Sequence, residues 1–436
     1  MKGLNQVYRE REGSILMVVM GFLLIASWLI ITILSVASSS RMISTEQASV
    51  EQAMFVAEAG VERGARFMES NLTAMVASST GTTNGSGTVG SGTYAFYIFR
   101  TNSSTYCIVS TGTVNGVTRV VSLNDVYQPT YAEFALWAHL NNSLSFVVGE
   151  VFTGHVHADD KLYFNNAGGG PIFHSAVTSN IGTYSGNISG IEFDQGLTLN
   201  SNQGTLTDVD FNSGASTSLK KEAQNNNGLV LSGNTTITFN NGTMSISNTK
   251  TSWVNHSYTP ASQGIIYVQN SGTTSGANAG TIYLNGGTVG TKVTIVSEND
   301  IHVSGNITYA HDPRTVSSST DALGLISQDS ILVDTTAPNN LEIDAAMIAA
   351  GTSGDGDAGS FSVTSYNTGS ARGALTVYGG IVQNSRGAVG TVNGSGTLQT
   401  GFNKSYSYDT RFMTTPPPFY PTIAGQVNFS QWQEGH

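Results

Sequence analysis

Ser14 to Ala37 reads SILMVVMGFLLIASWLIITILSVA, an uncharged apolar run long enough to cross a bilayer as a helix. It does not end as an ordinary anchor does. From Ser38 the chain continues as SSSRMISTEQASVEQAMFVAEAGVERGARFMESNLTAM, without proline and with apolar residues at helical spacing. At about 1.5 Å per residue, a helix over 14–75 is a rod on the order of 90 Å long, half lipid-soluble and half amphipathic. Everything downstream must fold around or beyond such a rod.

The preceding segment, 1–13, is short and polar and carries Lys2, Arg9 and Arg11, whereas Arg41 is the only basic residue just past the apolar run. The positive-inside rule then puts the N-terminus in the cytoplasm and the bulk of the chain outside it. A cleaved secretory signal fits poorly, because the apolar run exceeds a 7–15 residue h-region and helix follows directly. A plain signal anchor explains the span but not the continuing helix.

Past the membrane, Ala53, Ala57, Gly60 and Gly64 recur at spacings of 4, 3 and 4 and share one face. Small residues let a neighbouring element approach closely, either another helix or the chain's own sheet. Glu46, Glu51, Glu58 and Glu62 form a solvated side.

A basic leader ending in Glu12-Gly13, the run Ser14-Ile-Leu-Met-Val-Val-Met20, the long apolar helix and Phe55-Val-Ala-Glu-Ala-Gly-Val-Glu62 together resemble the N-terminal region of PilX-like type IV pilus assembly proteins. More broadly they are similar to the class III leaders of pilins and pseudopilins. The resemblance covers about the first 75 residues. It implies cleavage after Gly13 by a prepilin peptidase, methylation of Ser14 and packing of the helix among other pilin or pseudopilin helices. It also implies residence in the inner membrane before assembly into a type IV pilus or type II secretion pseudopilus. Major pilins carry glutamate at the fifth mature position, which here is Val18. That departure points to a minor, initiating or tip subunit.

The other 361 residues have a different character. Glycine is abundant (50 of 436 residues) and only 11% of residues are charged, while Val/Ile/Leu clusters persist throughout. This suits a turn-dense extracytoplasmic β protein better than a disordered chain. A net charge of −11 without basic clusters excludes a nucleic-acid groove. The single cysteine, Cys107, excludes an internal disulfide framework and sits in a buried-strand pattern.

Residues 76–92 (VASSTGTTNGSGTVGSG from Val76) lack apolar periodicity and read as a flexible linker. Residues 93–128 contain three strand patterns, with a turn signal at Asn115-Gly116, and read as a small antiparallel meander bracing the helix. From 129 to 436 short strands alternate with Gly/Asn corners, and those from Gly264 to Gln383 recur at solenoid-like spacing. The expectation is a mainly β protein with one long N-terminal α-helix, and a parallel β-helix as the large domain. A β-sandwich is the alternative. Lys292–Asn306, Leu323–Val333, Leu341–Ala350, Gly373–Gly387 and Gly401–Pro421 are similar to an uncharacterised bacterial surface domain found behind PilX-like N-termini. The run Pro416-Pro-Pro-Phe-Tyr-Pro421 is polyproline-like and reads as a closure of the β domain's end.

Few residues suggest chemistry. His155 and His157, two apart on a strand, share a face, with Asp159 and Asp160 close by, in a pattern compatible with a metal site. Asp355-Gly356-Asp357 offers oxygens but lacks a complete calcium loop. His302, His311-Asp312, Asp329 and Asp334 admit a carbohydrate-active reading, although nothing in the sequence pairs two carboxylates as glycoside hydrolysis requires. No cofactor motif is present. The reading is therefore a non-enzymatic minor pilin-like component that displays a β-rich head to a surface glycan or protein. The alternatives are a membrane-anchored carbohydrate-binding or carbohydrate-active β-helix and a plain anchored adhesin.

Overall fold

The computed structural model describes all residues except 1–3, 77–82, 102–104, 202, 205, 207–208, 216–217, 273–274, 353–358, 394–396, 424–427 and 436. One continuous helix, α1 (Leu4–Val76), extends the expected rod into the leader. Its apolar part, from Ile15 to Ile43, stands free of the rest of the chain, with side chains such as Met17, Phe22 and Trp28 more than 70% exposed. The remainder lies on a small antiparallel sheet.

That sheet contains β1 (Thr83–Val89), β2 (Gly92–Arg100), β3 (Thr105–Val114) and β4 (Val117–Tyr127), and the C-terminal strand Asn428–Gly435 completes it beside β4. Two expectations are corrected here. Residues 83–89, within the stretch read as a flexible linker, form a strand, because alternate glycines face aromatic partners. Gly85 pairs with Phe96 and Gly87 with Tyr94. An added Cβ at these glycines would lie 2.5 and 2.4 Å from the respective side chains. The rings thus cover the glycines and supply the packing that the glycines cannot. The second correction concerns the C-terminus. The chain's last strand belongs to the small sheet, not to the large β domain assigned 129–436, since its pairing partner is β4.

The helix packs Ala57, Val61 and Met68 onto Phe96, Ile98, Ile108, Val121 and Leu123. Each large side chain buried in this way contributes about 1.5–3 kcal/mol. Cys107 is buried in the same sheet, its Sγ 3.0 Å from Asn124 Oδ1.

The large sheet is parallel. Mainly β content, one long N-terminal helix, a small antiparallel sheet and a large parallel one are thus all present. Its strands stack rung on rung in three ladders. In the first ladder one inward-facing row reads Leu229, Ile266, Ile295, Leu325, Met347, Ile381, Leu136, Val156, Val177 and Leu197. Every member is apolar, as a buried parallel stack requires. The second ladder stacks Ile237, Leu284, Val303, Val333 and Val363. The third stacks Ile307, Ile343, Val377 and Tyr406. Asn241 and Gly242, both at positive φ, turn the antiparallel hairpin Thr235–Asn240/Thr243–Asn248.

The order of the first row is not the order of the chain. The segment at Ile381, near the end of the sequence, pairs with the segment at Leu136, near the start of the β domain. All rungs advance in one direction along the stack, from 229 to 383 and then from 134 to 199. Residues 200–228 therefore return from one end of the stack to the other. Ten rungs at about 4.8 Å separate the ends by about 43 Å, well within the chain's reach.

The return path explains why the first ladder is apolar outside as well as inside over the rungs from Ile265 to Val382. Leu206, Phe211 and the short helix α2 (Leu219–Asn225) bury Leu219 and Ala223 in one cluster with Ile265, Tyr267, Val296 and Ile326. Tyr131, Trp137, Tyr408, Phe412, Tyr420 and Ile423 continue that outer core. The proline-rich run lies along this flank and does not cap an end: Pro418 O accepts a hydrogen bond from Thr294 Oγ1, and Pro421 O accepts one from Tyr131 N. Arg100 of β2 approaches Glu222 of α2 at 3.8 Å and links the two sheets.

Candidate functional site

Three groups of residues bear on function: the helix, the polar part of the first ladder's outer face around His155 and Thr178, and the seam where the last coil meets the first.

On the helix, Gly13 and Ser14 lie within α1. The small-residue face is occupied within the chain. Ala53, Ala57, Gly60 and Gly64 are all buried. A Cβ on Gly60 would come within 2.1 Å of Ser110 Oγ, and one on Gly64 within 2.9 Å of Ile108 Cγ2. The sheet answers with a glycine of its own, since a Cβ on Gly112 would lie 2.3 Å from both Ala53 O and Ala57 N. Of the two uses that small residues allow, the structure assigns these four to the chain's own sheet. What α1 leaves outside is the apolar stretch and, farther along, Phe55, 66% exposed on the side away from the sheet. Glu46, Glu51 and Glu62 are exposed as expected, and Glu62 pairs with Arg66 at 2.6 Å. Among the described residues α1 is the one helix long and apolar enough to cross a membrane.

On the first ladder, His155 and His157 do face one side of a strand. They converge on Thr178 of the next rung, at 2.8 and 2.7 Å from its Oγ1. The second ring nitrogen of His157 meets Asp159 Oδ1 at 3.0 Å. Asp159 also holds His139 at 2.8 Å and Asn180 at 2.9 Å. Asp160 Oδ2 instead accepts from Asn141 N. Phe134 and Trp137 pack on the two imidazoles with ring centroids 4.4 Å apart. Burial, and after it the neighbouring His157, lowers the pKa of His155 to about 4. Both nitrogens of His157 are thus engaged in hydrogen bonds, and the three residues named as metal ligands form one network. Elsewhere His174, Glu192 and Asp194 bring one ligand atom each within 4.8 Å of one another on the exposed surface.

His302 pairs with Asp334 at 2.7 Å, which raises its pKa, whereas His311 meets Asp321 and not the adjacent Asp312. The backbone N–H of Asp329 donates to Ser327 Oγ. The Asp355-Gly356-Asp357 segment lies outside the described residues. A carboxylate cluster absent from the sequence reading surrounds Arg314, which touches Asp312 and Glu342 at 2.8 Å and Asp344 at 3.5 Å and stacks over Tyr378. Burial pushes Asp344 up to about 7, partly offset by the N–H of Tyr309 and by Arg314.

The seam carries a cavity of about 920 Å³, lined by Leu144, Val148, Glu150 and Asn165 of the first coil and by Val392, Asn403 and Lys404 of the last, among others. Lys404 projects inward here. It stacks in the row Leu341, Leu375, Lys404, where both other members are aliphatic core. Its Nζ lies 2.5 Å from Glu150 Oε1, and the second Glu150 oxygen accepts from Val147 N. Arg386, 5% exposed, lies 3.8 Å from Glu150, stacks over Phe146 and donates to Leu144 O at 2.7 Å. Burial alone would raise Glu150; Lys404 and Arg386 hold it below its ordinary value. Burial lowers both cations. Glu150 and Arg386 were not singled out from the sequence. The available signal was weak: a lysine in a strand pattern, GFNKSYSY, whose register only the fold supplies.

No family model and no curated protein matches this chain. Among solved structures it is similar to the competence-associated pilin ComZ from Thermus thermophilus, at 12% identity and a TM-score of 0.36, over 89% of this chain and 98% of that one.

Proposed function

We propose that the chain is a minor pilin-like subunit of a type IV pilus or type II secretion pseudopilus, and that it assembles and displays without turnover. The observation that carries this reading is the division of one unbroken helix. Its first half offers bare apolar surface, and its second half is clamped to the protein's own sheet by Ala53, Ala57, Gly60, Gly64 and Gly112. A membrane anchor needs only the first half. A filament subunit needs both, because a rigid stem must hold the head at a fixed distance from the packed helices. Transfer of the apolar half from lipid into a bundle of similar helices costs little, since both surroundings are apolar.

In this reading the leader 1–13 is cytoplasmic, a prepilin peptidase cuts after Gly13, Ser14 becomes the methylated N-terminus, and the helix waits in the inner membrane. The partners are other pilin or pseudopilin subunits. Val18 in place of a paired glutamate favours an initiating or tip position. The parallel ladders serve as a β-helix head, displayed outside to a glycan or protein ligand. Mass spectrometry of the mature N-terminus from cells with and without prepilin peptidase tests the reading. N-methylated Ser14 only in the presence of the peptidase is the expected result. An intact Met1 in both strains leaves a plain anchor and refutes the filament role.

A further inference from the structure

The seam between the last and first coils holds three ionisable side chains at positions where the surrounding interior is apolar. Lys404 continues a row of leucines, Arg386 is buried over Phe146, and among the described residues Glu150 is the one carboxylate paired with either cation. Two cations face one anion, which leaves one positive charge in excess inside a low-dielectric wall. Such an arrangement is unfavourable for stability alone: a buried ion group is seldom better than apolar packing, and an unbalanced one is worse. Glu150 and Lys404 border a cavity of about 920 Å³, within the range of small-molecule sites, and Arg386 stands behind them, next to its wall at Gly387. Its walls also present the amides of Asn165, Asn393 and Asn403 and the apolar Val148 and Val392.

We infer that this cavity binds a small organic carboxylate with a hydroxylated body, its anion meeting Lys404 and its hydroxyls meeting the asparagine amides. The carboxylate balances the excess charge that Glu150 leaves uncompensated. Hydroxyls suit the amides because each amide both donates and accepts. An acidic sugar unit has this chemistry, and so in part has a simple dicarboxylate. The inference does not depend on the filament role, because the seam lies in the head, away from α1.

The test uses the full chain in detergent, with galacturonate, succinate and galactose as probes, read by isothermal titration and by thermal unfolding. Galacturonate is expected to bind and to raise the unfolding temperature, and galactose to do neither. Succinate binding equal to that of galacturonate supports a free carboxylate as the source, and weaker binding supports the acidic sugar. The Lys404→Met variant, which leaves a balanced Glu150–Arg386 pair, should bind galacturonate at least tenfold more weakly. Val148→Trp, which fills the cavity and leaves the charges in place, should abolish the effect even if Lys404→Met fails to fold. Equal binding of galactose, no binding of either acid at tens of millimolar, or full binding by both variants would overturn the inference.

Discussion

Gly112→Ala tests whether the stem of the helix is seated as described. A Cβ at this position would lie 2.3 Å from Ala53 O and Ala57 N, both backbone atoms of α1, so no side-chain rotation can relieve it. Ordinary contact begins near 3.4 Å, so the helix must recede by roughly 1 Å and loosen its packing on Phe96 and Ile108. Overpacking against unyielding neighbours costs about 3 kcal/mol, the upper part of the usual range. The residue's φ is not positive, so alanine recovers about 0.5–1 kcal/mol of strand propensity. The net loss is about 2 kcal/mol. Because the small sheet and the parallel ladders have separate hydrophobic cores, a single unfolding midpoint is a poor measure, and local hydrogen exchange is better. Amides of β2 and β3 and of α1 from Val50 to Met68 should exchange about thirtyfold faster, at 1.36 kcal/mol per factor of ten. Those of the parallel ladders should not change. Exchange within threefold of the parent in both β3 and α1 would refute the close helix–sheet contact.

Asp344 gives a pH prediction. Its folded pKa, about 7, lies above its unfolded value, so the buried acid favours the protonated state. The stability associated with this group is full below about pH 4 and is lost as pH rises through 7. Asp344→Asn should therefore flatten the fall in unfolding temperature between about pH 4 and 7, and an unchanged slope there would exclude Asp344 as its source. Trp137 is fully buried between Tyr131, Phe134 and His157. Trp137→Ala should cost about 3–5 kcal/mol, seen as an earlier thermal transition of the ladders, and a loss below 1 kcal/mol would contradict the outer core at this rung.

Local chemistry made much of the molecule legible. Charge-free length and helical periodicity are properties of contiguous residues, so α1 can be read from Ser14 to Met75 without knowing what it touches. Alternation of Ile and Val with Gly/Asn corners likewise marks the strands, as in the rows through Ile295 and Leu325. The sequence alone therefore determined a long half-apolar helix, a mainly β remainder and a chain without disulfide staples.

Pairing between distant segments decided the rest. Nothing local tells Gly85 that Phe96 will cover it, so a strand looked like a linker. Nothing near Ile381 announces that its partner is Leu136, because a parallel ladder asks of each rung only that it be apolar and extended. Any aliphatic strand satisfies that condition, and the choice among them falls to the return path of residues 200–228 over the outer face. The same ambiguity hid the seam: Lys404 in an alternating strand reads as a surface residue until Leu375 is placed beside it. The four small residues of α1 could have met a foreign helix or the chain's own sheet. Gly112, more than forty residues farther along, made the sheet the closer fit.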